Sequence, residues 1–360
     1  MQHVLVTGGA GFIGANFVRW LLREEPSVRV VTLDALTYAG SLRNLADLPD
    51  PGRHTFVQGE VQDGPLVARV LAEHAIGTIV HFAAETHVDR SILGPGRFVE
   101  TNVVGTYALL DAARQAWGGR EDVRFHHVST DEVYGSLAPD APAFTEVTPY
   151  DPRSPYSASK AGSDHLVRAY AHTYGLPVTL SNSSNNYGPF QFPEKLIPLL
   201  LLNARAGRPL PIYGDGQQVR DWLYVEDHCR AIGRILEAGE VGETYNVGGG
   251  NQPTNLDLVR RLCALLDDRF PDSPHAPHAD LIRFVEDRPG HDRRYAMDTT
   301  KIERDLGWAP RESLATGLEK TVDWYLAHAD WLDAIVEEKG LEAWWAENYA
   351  GRLGSEASRP

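Results

Sequence analysis

An apolar run over residues 3–7 leads straight into Gly8-Gly9-Ala10-Gly11-Phe12-Ile13-Gly14, and segment 12–23 then takes up helical periodicity through Phe12, Phe17, Trp20 and Leu21. Strand, glycine turn and helix in that order form the context that gives a glycine pattern meaning. Positions without side chains let a pyrophosphate approach the backbone, and the N–H groups at the helix start meet its charge. The spacing of Gly8, Gly11 and Gly14 is GxxGxxG, which differs from the commonest dinucleotide fingerprint. A second apolar run, 28–33, ends in Asp34. That carboxylate falls about twenty residues past the last glycine, where it would accept ribose hydroxyls and repel a 2′-phosphate. The arrangement favours NAD over NADP; the competing reading is a tight turn and a strand-end Asp in an unrelated α/β protein.

Further strand–helix units follow. Segments 54–61 and 76–84 read as strands, 66–73 and 98–117 as helices, and a strand ends at Val128-Ser129-Thr130-Asp131-Glu132. This alternation predicts a parallel sheet covered by helices on both faces. Ligands in such sheets bind outside the carboxyl ends of the strands, so a hydroxyl and two adjacent carboxylates stand where chemistry would be done. Taken alone, Ser, Thr, Asp and Glu at a strand exit only cap the next helix about as often. A third signal is Tyr156-Ser157-Ala158-Ser159-Lys160, which opens a helix pattern running to Tyr174. Tyrosine and lysine four apart share a helical face. An ammonium near a phenol favours the phenolate, making the tyrosine a usable base.

Composition narrows the partners. The 360 residues carry 49 Asp and Glu against 34 Lys and Arg, a formal charge of −15. That balance argues against nucleic acid or an anionic membrane, both of which want a basic footprint. It leaves room for an anionic small molecule. Cys229 and Cys263 lack metal-ligand spacing and read as buried thiols of a reducing compartment. Glycines interrupt the N-terminal apolar segment, so no signal peptide or membrane span is expected, and the cytoplasm is the default location.

The sequences TGGAGFIG at 7–14 and YSASK at 156–160 resemble the extended short-chain dehydrogenase/reductase family, which acts on nucleotide sugars. AAETHVDRS at 83–91, STDEVYG at 129–135 and NNYGPFQFPEKLIP at 185–198 are similar to the dTDP-glucose 4,6-dehydratases within it, as are PIYGDGQQVRDWLYVED at 211–227 and DRPGHDRRYAMD at 287–298. The likeness runs from Val4 to about Tyr349.

What the resemblance implies is specific. The fold would be a Rossmann-type doubly wound parallel sheet with a smaller mixed α/β C-terminal substrate lobe: residues 1–183 binding NAD, 184–350 binding a nucleotide sugar, and 351–360 a flexible tail. Tyr156 would take the 4-hydroxyl proton, with Lys160 lowering its pKa and Thr130 bonding the 4-oxygen. Glu132 would abstract the C5 proton and Asp131 would protonate the departing 6-hydroxyl. One carboxyl's charge raises the other's pKa, which suits such a split. The hydride returns to C6, so NAD is a tightly held catalyst. Gly8, Gly11, Phe12, Ile13, Gly14, Asp34, Leu36, Thr37, Glu60, Val61, Phe82, Ala83, Ala84, Thr101 and Asn186 would line the cofactor with Tyr156 and Lys160. Thr86, His87, Thr130, Asn185, Lys195, Leu196, Pro211, Tyr213, Arg220, Asn246, Arg288 and His291 would meet the nucleotide sugar, Arg220 and Arg288 as the pyrophosphate partners.

Some positions depart from the family pattern. Glu60 stands where Asp commonly contacts the adenine, Thr86 where Ser is usual and Ser183 where Cys or another residue precedes Ser184, and the loop between Gly135 and Phe144 is short. Two other classes remain: a sister 4-epimerase or UDP-glucuronate decarboxylase, and a non-catalytic NAD sensor. Asp131-Glu132 disfavours the sisters, because epimerisation needs no acid at C6 and decarboxylation no base at C5. A sensor would be expected to lose Tyr156 or Lys160. The helix patterns at 98–117 and 156–174 are apolar enough to pair with copies of themselves, so a homodimer is expected. The base (thymine or uracil) and the downstream pathway are not written in the sequence.

Overall fold

The computed structural model describes residues 1–287 and 290–350. Eleven strands are present among them: β1 (His3–Thr7), β2 (Arg29–Asp34), β3 (His54–Gln58), β4 (Thr78–His81), β5 (Arg124–Thr130), β6 (Val178–Ser183), β7 (Asn185–Tyr187), β8 (Leu210–Tyr213), β9 (Trp222–Tyr224), β10 (Thr244–Val247) and β11 (Ile282–Val285). Seven form one sheet in the order β10-β6-β5-β4-β1-β2-β3, every pair parallel. The order reverses between β1 and β4, the switch point at which doubly wound sheets open a crevice.

Alternation along the strands explains the two covered faces. Leu5, Val31, Leu33, Ile79 and Phe125 pack with Val67, Leu109, Leu110 and Val167 on one side. Val4, Val6, Val30 and Val80 pack with Phe17, Val18, Leu21 and Ile232 on the other. The second lobe has its own core, in which Tyr187, Ile197, Leu200 and Ile212 meet Leu258, Leu262, Leu318 and Val322. The short parallel pairs β8–β11 and β7–β9 belong to this half of the chain.

One assignment is corrected. The strand Thr244–Val247, expected in the substrate lobe, pairs with β6 and forms the sheet edge. Helix Val225–Ala238 precedes it and packs Ile232 and Leu236 against helix Phe12–Glu24 and the sheet. The chain therefore leaves the first lobe after β6 and returns to it, so a cut at 183/184 does not separate the sheet from the rest. Strands expected at 54–61 and 76–84 end earlier, at Gln58 and His81, because their C-terminal residues turn into the cleft. The helix expected at 98–117 contains a wide π turn at Val99–Val104. There Asn102 accepts from the Glu85 N–H (2.8 Å) and donates to the Glu85 carbonyl (3.0 Å) and to Ser159 Oγ (2.8 Å). That single amide ties the exit of β4 to the helix bearing Tyr156; π turns of this kind recur at functional sites. The expected flexible tail lies outside the described residues.

Candidate active site

The glycine turn is built for close approach. A Cβ on Gly14 would stand 2.2 Å from the Gly8 carbonyl oxygen, and one on Gly8, whose φ is +70°, would stand 2.7 Å from the Ala83 nitrogen. Helix Phe12–Glu24 begins at Gly11 with no side-chain cap and no acidic residue in its first turn, so its N-terminal dipole stays open to an anion. Asp34 at the end of β2 accepts from the Ala10 N–H (2.9 Å) and the Leu36 N–H (2.8 Å). Burial pushes its pKa up, and those two backbone donors hold it down. Residues and geometry fit a dinucleotide.

From this turn a cavity of about 290 Å³ runs past the ends of β4 and β5. Its wall includes every residue expected to hold the cofactor except Leu36, and Thr86, Thr130, Asp131, Glu132, Asn185 and Lys195 as well. Leu36 contributes its backbone to the Asp34 turn, at a φ of +54°.

The chemistry gathers where β5 ends in the tight turn Asp131–Tyr134. Thr130 Oγ1 accepts from the Glu132 N–H (3.3 Å) and donates to Asp131 Oδ1 (3.3 Å). Asp131 is buried, with 2% of its surface exposed, whereas Glu132 is half-buried. Burial first, then the charges of Glu132 and Asp221, hold the Asp131 carboxyl well above the usual range. Its Oδ2 has no hydrogen-bond partner among the described residues, nor do the buried cavity-wall atoms Ser184 Oγ, Asn185 Oδ1, Gln191 Oε1 and Glu194 Oε1. Buried polar atoms are otherwise almost always paired, and a polyhydroxylated ligand would pair these.

Tyr156 and Lys160 sit in helix Pro155–Tyr174, started by a Ser154–Ser157 capping box. The Lys160 ammonium donates to the Val128 carbonyl at 2.9 Å, and burial lowers its pKa to about 8. Burial, and next the Glu132 charge, push the Tyr156 hydroxyl well above the usual phenol range, and a hydrogen bond with Thr130 pulls it down.

Several expected substrate contacts lie away from the cavity wall. Asn246 is wholly buried; its amide accepts from the Tyr134 hydroxyl (2.8 Å) and donates to the Phe144 carbonyl (2.9 Å), joining the turn after β5 to the Phe144 segment. Arg220 donates to the Val219 and Asp292 carbonyls and lies 4.3 Å over the Tyr295 ring, although its charge is felt by Asp131. Leu196 packs on the second-lobe core, and Pro211 is buried in β8 beside Arg283. The Tyr213 hydroxyl donates to Asp89 (3.2 Å), and His291 pairs with Asp287 (2.6 Å). His87 Nε2 stands 4.0 Å from Glu194. Arg288 lies outside the described residues.

Sequence reasoning missed Gly40, Gln62, Glu85, Arg97, Gln191, Phe192 and Glu194, all on the cavity wall. The last three fall inside the FQFPEK stretch already marked by resemblance, so the segment was legible and its members were not. Glu194 is fully buried and accepts from Arg90 Nε (3.0 Å). Arg97 reaches Glu60 (2.7 Å) and stands 3.7 Å from Glu85, and no local pattern marks it.

A doubly wound sheet, a dinucleotide turn and a Thr-Asp-Glu/Tyr/Lys constellation in one cleft define the extended short-chain dehydrogenase/reductase class. The family model described as GDP-mannose 4,6 dehydratase matches residues 5–321, and the chain belongs to that family. It is 57% identical to a dTDP-glucose 4,6-dehydratase of Xanthomonas campestris pv. campestris (strain B100), over 94% of this chain and 97% of the relative. It is 52% identical to dTDP-glucose 4,6-dehydratase 1 of Escherichia coli (strain K12), over 98% of this chain and 100% of the relative. A crystal structure of the Streptomyces venezuelae dTDP-glucose 4,6-dehydratase with NAD bound superimposes with a TM-score of 0.84 at 49% identity, covering 92% of this chain and 99% of that one. A Thermotoga maritima UDP-glucose 4-epimerase with UDP-glucose shares the fold at 29% identity and a TM-score of 0.79, covering 91% and 99%.

Proposed function

We propose that this chain converts dTDP-glucose to dTDP-4-keto-6-deoxyglucose, a hydro-lyase reaction that uses a resident NAD. The observation that carries it is the pair Asp131 and Glu132 at the exit of β5, one buried and one half-open, in the same cavity as Tyr156 and the glycine turn. The glycine turn, Asp34, Glu60 and Thr101 would hold the cofactor. When bound, NAD supplies a cationic ring that accepts the C4 hydride, later returned to C6.

The chain's own groups manage the protons. Tyr156, its phenolate favoured by the Lys160 ammonium and by the cationic ring that NAD would place beside it, takes the proton of the 4-hydroxyl, and Thr130 bonds the same oxygen. The resulting 4-ketone acidifies C5–H, which Glu132 removes. Asp131, kept protonated by burial and by its charged neighbours, gives its proton to the 6-hydroxyl, which leaves as water. Glu132 then returns a proton to C5. Acid–base assistance of each kind is typically worth ~10²–10⁴ in rate. An epimerase would need neither carboxylate in this position.

Exposed apolar residues support a homodimer. Val99 (50% exposed), Val104 (47%), Tyr107 (49%) and Tyr174 (54%) lie on the two helices expected to pair with a second copy. A monomeric mass in solution scattering at micromolar concentration would overturn it. A cytoplasmic location completes the reading, supported by two buried, unpaired cysteines; among the described residues no helix is long and apolar enough to cross a membrane.

The test needs no added cofactor. The purified protein is incubated separately with dTDP-glucose, UDP-glucose and UDP-N-acetylglucosamine and followed by mass spectrometry. Loss of one water from dTDP-glucose alone is expected. Water loss from a UDP sugar would move the substrate, and an unchanged mass with a new 4-epimer would overturn the roles of Asp131 and Glu132.

A further inference from the structure

Helix Pro155–Tyr174 carries a second buried ionisable group beneath the cleft. Asp164 follows Lys160 by four residues, so both side chains lie on one helical face. Asp164 has no exposed surface. Its Oδ2 accepts from Ser129 Oγ (2.8 Å) and from the Tyr150 hydroxyl (2.9 Å), and Oδ1 stands 3.2 Å from His127 Nε2. Ser129 directly precedes Thr130, so the carboxylate also grips the strand that delivers the catalytic turn.

A buried carboxylate persists only beside a compensating charge. His127 of β5 is not that charge, because burial and the nearby Lys160 and Arg168 push its imidazole far below the usual range and leave it neutral. His81 of β4, facing the same lysine, is neutral for the same reason. Arg168, one turn beyond Asp164 on the same helix, donates to the Tyr150 hydroxyl at 2.8 Å and adds a second, weaker positive charge for Asp164 after that of Lys160. Tyr156 lies one turn before Lys160, and burial pushes its hydroxyl above the usual phenol range. The Lys160 ammonium spends one donor on the Val128 carbonyl and feels Asp164 as its opposing charge.

We propose that Asp164 is a positioning residue, a fixed counter-charge that keeps Lys160 protonated at the cleft floor and is itself held in place by Ser129 and Tyr150. Without it, Lys160 would sit desolvated beside two imidazoles and lose its proton near neutral pH, as buried lysines do. The inference concerns Lys160 itself; only its rate consequence rests on the proposed reaction.

The decisive experiment titrates Lys160 by competitive acylation with acetic anhydride across pH 6–11, quantified by peptide mass spectrometry, because only the neutral amine reacts. Asp164→Asn is expected to move the Lys160 transition down by about one pH unit or more. Tyr150→Phe removes a hydrogen bond and keeps the charge, so its transition should stay where it is in the unaltered protein. An unmoved transition in Asp164→Asn overturns the proposal, as does an equal shift in Tyr150→Phe. If Asp164→Asn does not fold, Asp164→Ser, which leaves room for water, takes its place with the same expected shift. In a Glu132→Gln background, where reduced cofactor should accumulate, adding Asp164→Asn should slow its formation from dTDP-glucose roughly fivefold at pH 8. No reduced cofactor in the Glu132→Gln parent would count against the proposed reaction, and the acylation titration would still judge Asp164.

Discussion

Asp131 and Glu132 are adjacent in the chain, yet the first is buried with an Oδ2 that has no hydrogen-bond partner among the described residues, and the second opens to the cleft. A tight turn produces the difference: after the extended residue Thr130, successive side chains leave the strand in different directions. Two chemically equivalent carboxyls thereby acquire separate roles, one kept protonated and one available as a base. Glu132→Gln is expected to leave C4 oxidation intact and block elimination, so absorbance of bound NADH should build up on mixing with dTDP-glucose. Normal turnover by that variant would place the C5 base elsewhere.

Tyr156→Phe acts one step earlier. It removes the group that takes the 4-hydroxyl proton, so hydride transfer should fall by ~10²–10⁴, the usual worth of such a group. No NADH signal should appear even when Glu132→Gln is added. A strong signal in the double variant would mean that another base serves C4.

Burial of Asp131 has a cost that pH exposes. Its folded pKa is raised, so the folded state holds a proton that the unfolded chain releases near pH 4. Stability from this group is complete below the unfolded pKa and is lost as pH rises toward the folded one. Asp131→Asn cannot ionise and escapes that loss. The variant should melt higher than the unaltered protein, by on the order of 2 °C for each kcal/mol relieved, with a larger difference at pH 8 than at pH 4. It should also be nearly inactive. Melting curves at the two pH values check this; a lower melting temperature at pH 8 would show that the Thr130 hydrogen bond outweighs desolvation.

Arg97 bridges Glu60, on the loop after β3, to the helix beside Glu85, across the cofactor end of the cavity. The pair is about half exposed and contributes little to folding, typically 0–1 kcal/mol. Its position suits it to hold the cofactor in. Arg97→Ala should lose NAD up to roughly fivefold faster, the rate equivalent of about 1 kcal/mol, with turnover unchanged when NAD is added in excess. Raised salt should do the same to the unaltered protein. Dilution into buffer without NAD, followed by residual activity, measures both.

Much of this site was legible because its first half is local. The glycine turn, Asp34, the Thr130–Glu132 exit and the Tyr156–Lys160 helix each act through residues a few positions apart, so periodicity and spacing reveal them. Thr244–Val247 was misplaced for the opposite reason. Its β-favouring Thr, Tyr and Val mark a strand, and only the long return through helix Val225–Ala238 says which sheet it joins. Arg97 and Glu194 escaped notice likewise, since their partners Glu60 and Arg90 lie 37 and 104 residues away. Around Tyr156 the limit is a different one: spacing puts Lys160 on the right face but cannot show that its ammonium turns to the Val128 carbonyl.

Asn246 supplies the sharpest contrast between resemblance and geometry. A residue that binds substrate should, on truncation, raise KM and leave the fold alone. Asn246 instead joins the Tyr134 hydroxyl to the Phe144 carbonyl inside a closed aromatic cluster, with its own N–H donating to Glu146 (2.9 Å). Asn246→Ala would leave the buried Tyr134 hydroxyl without its acceptor, at a cost of about 1–3 kcal/mol, while the Phe144 carbonyl keeps the Asp298 N–H (2.9 Å). Because Tyr134 belongs to the turn that begins at Asp131, loosening it should lower kcat with KM for dTDP-glucose nearly unchanged. Chemical denaturation and steady-state kinetics on the same preparation separate the two cases. A large rise in KM with unaltered stability would return Asn246 to the substrate site.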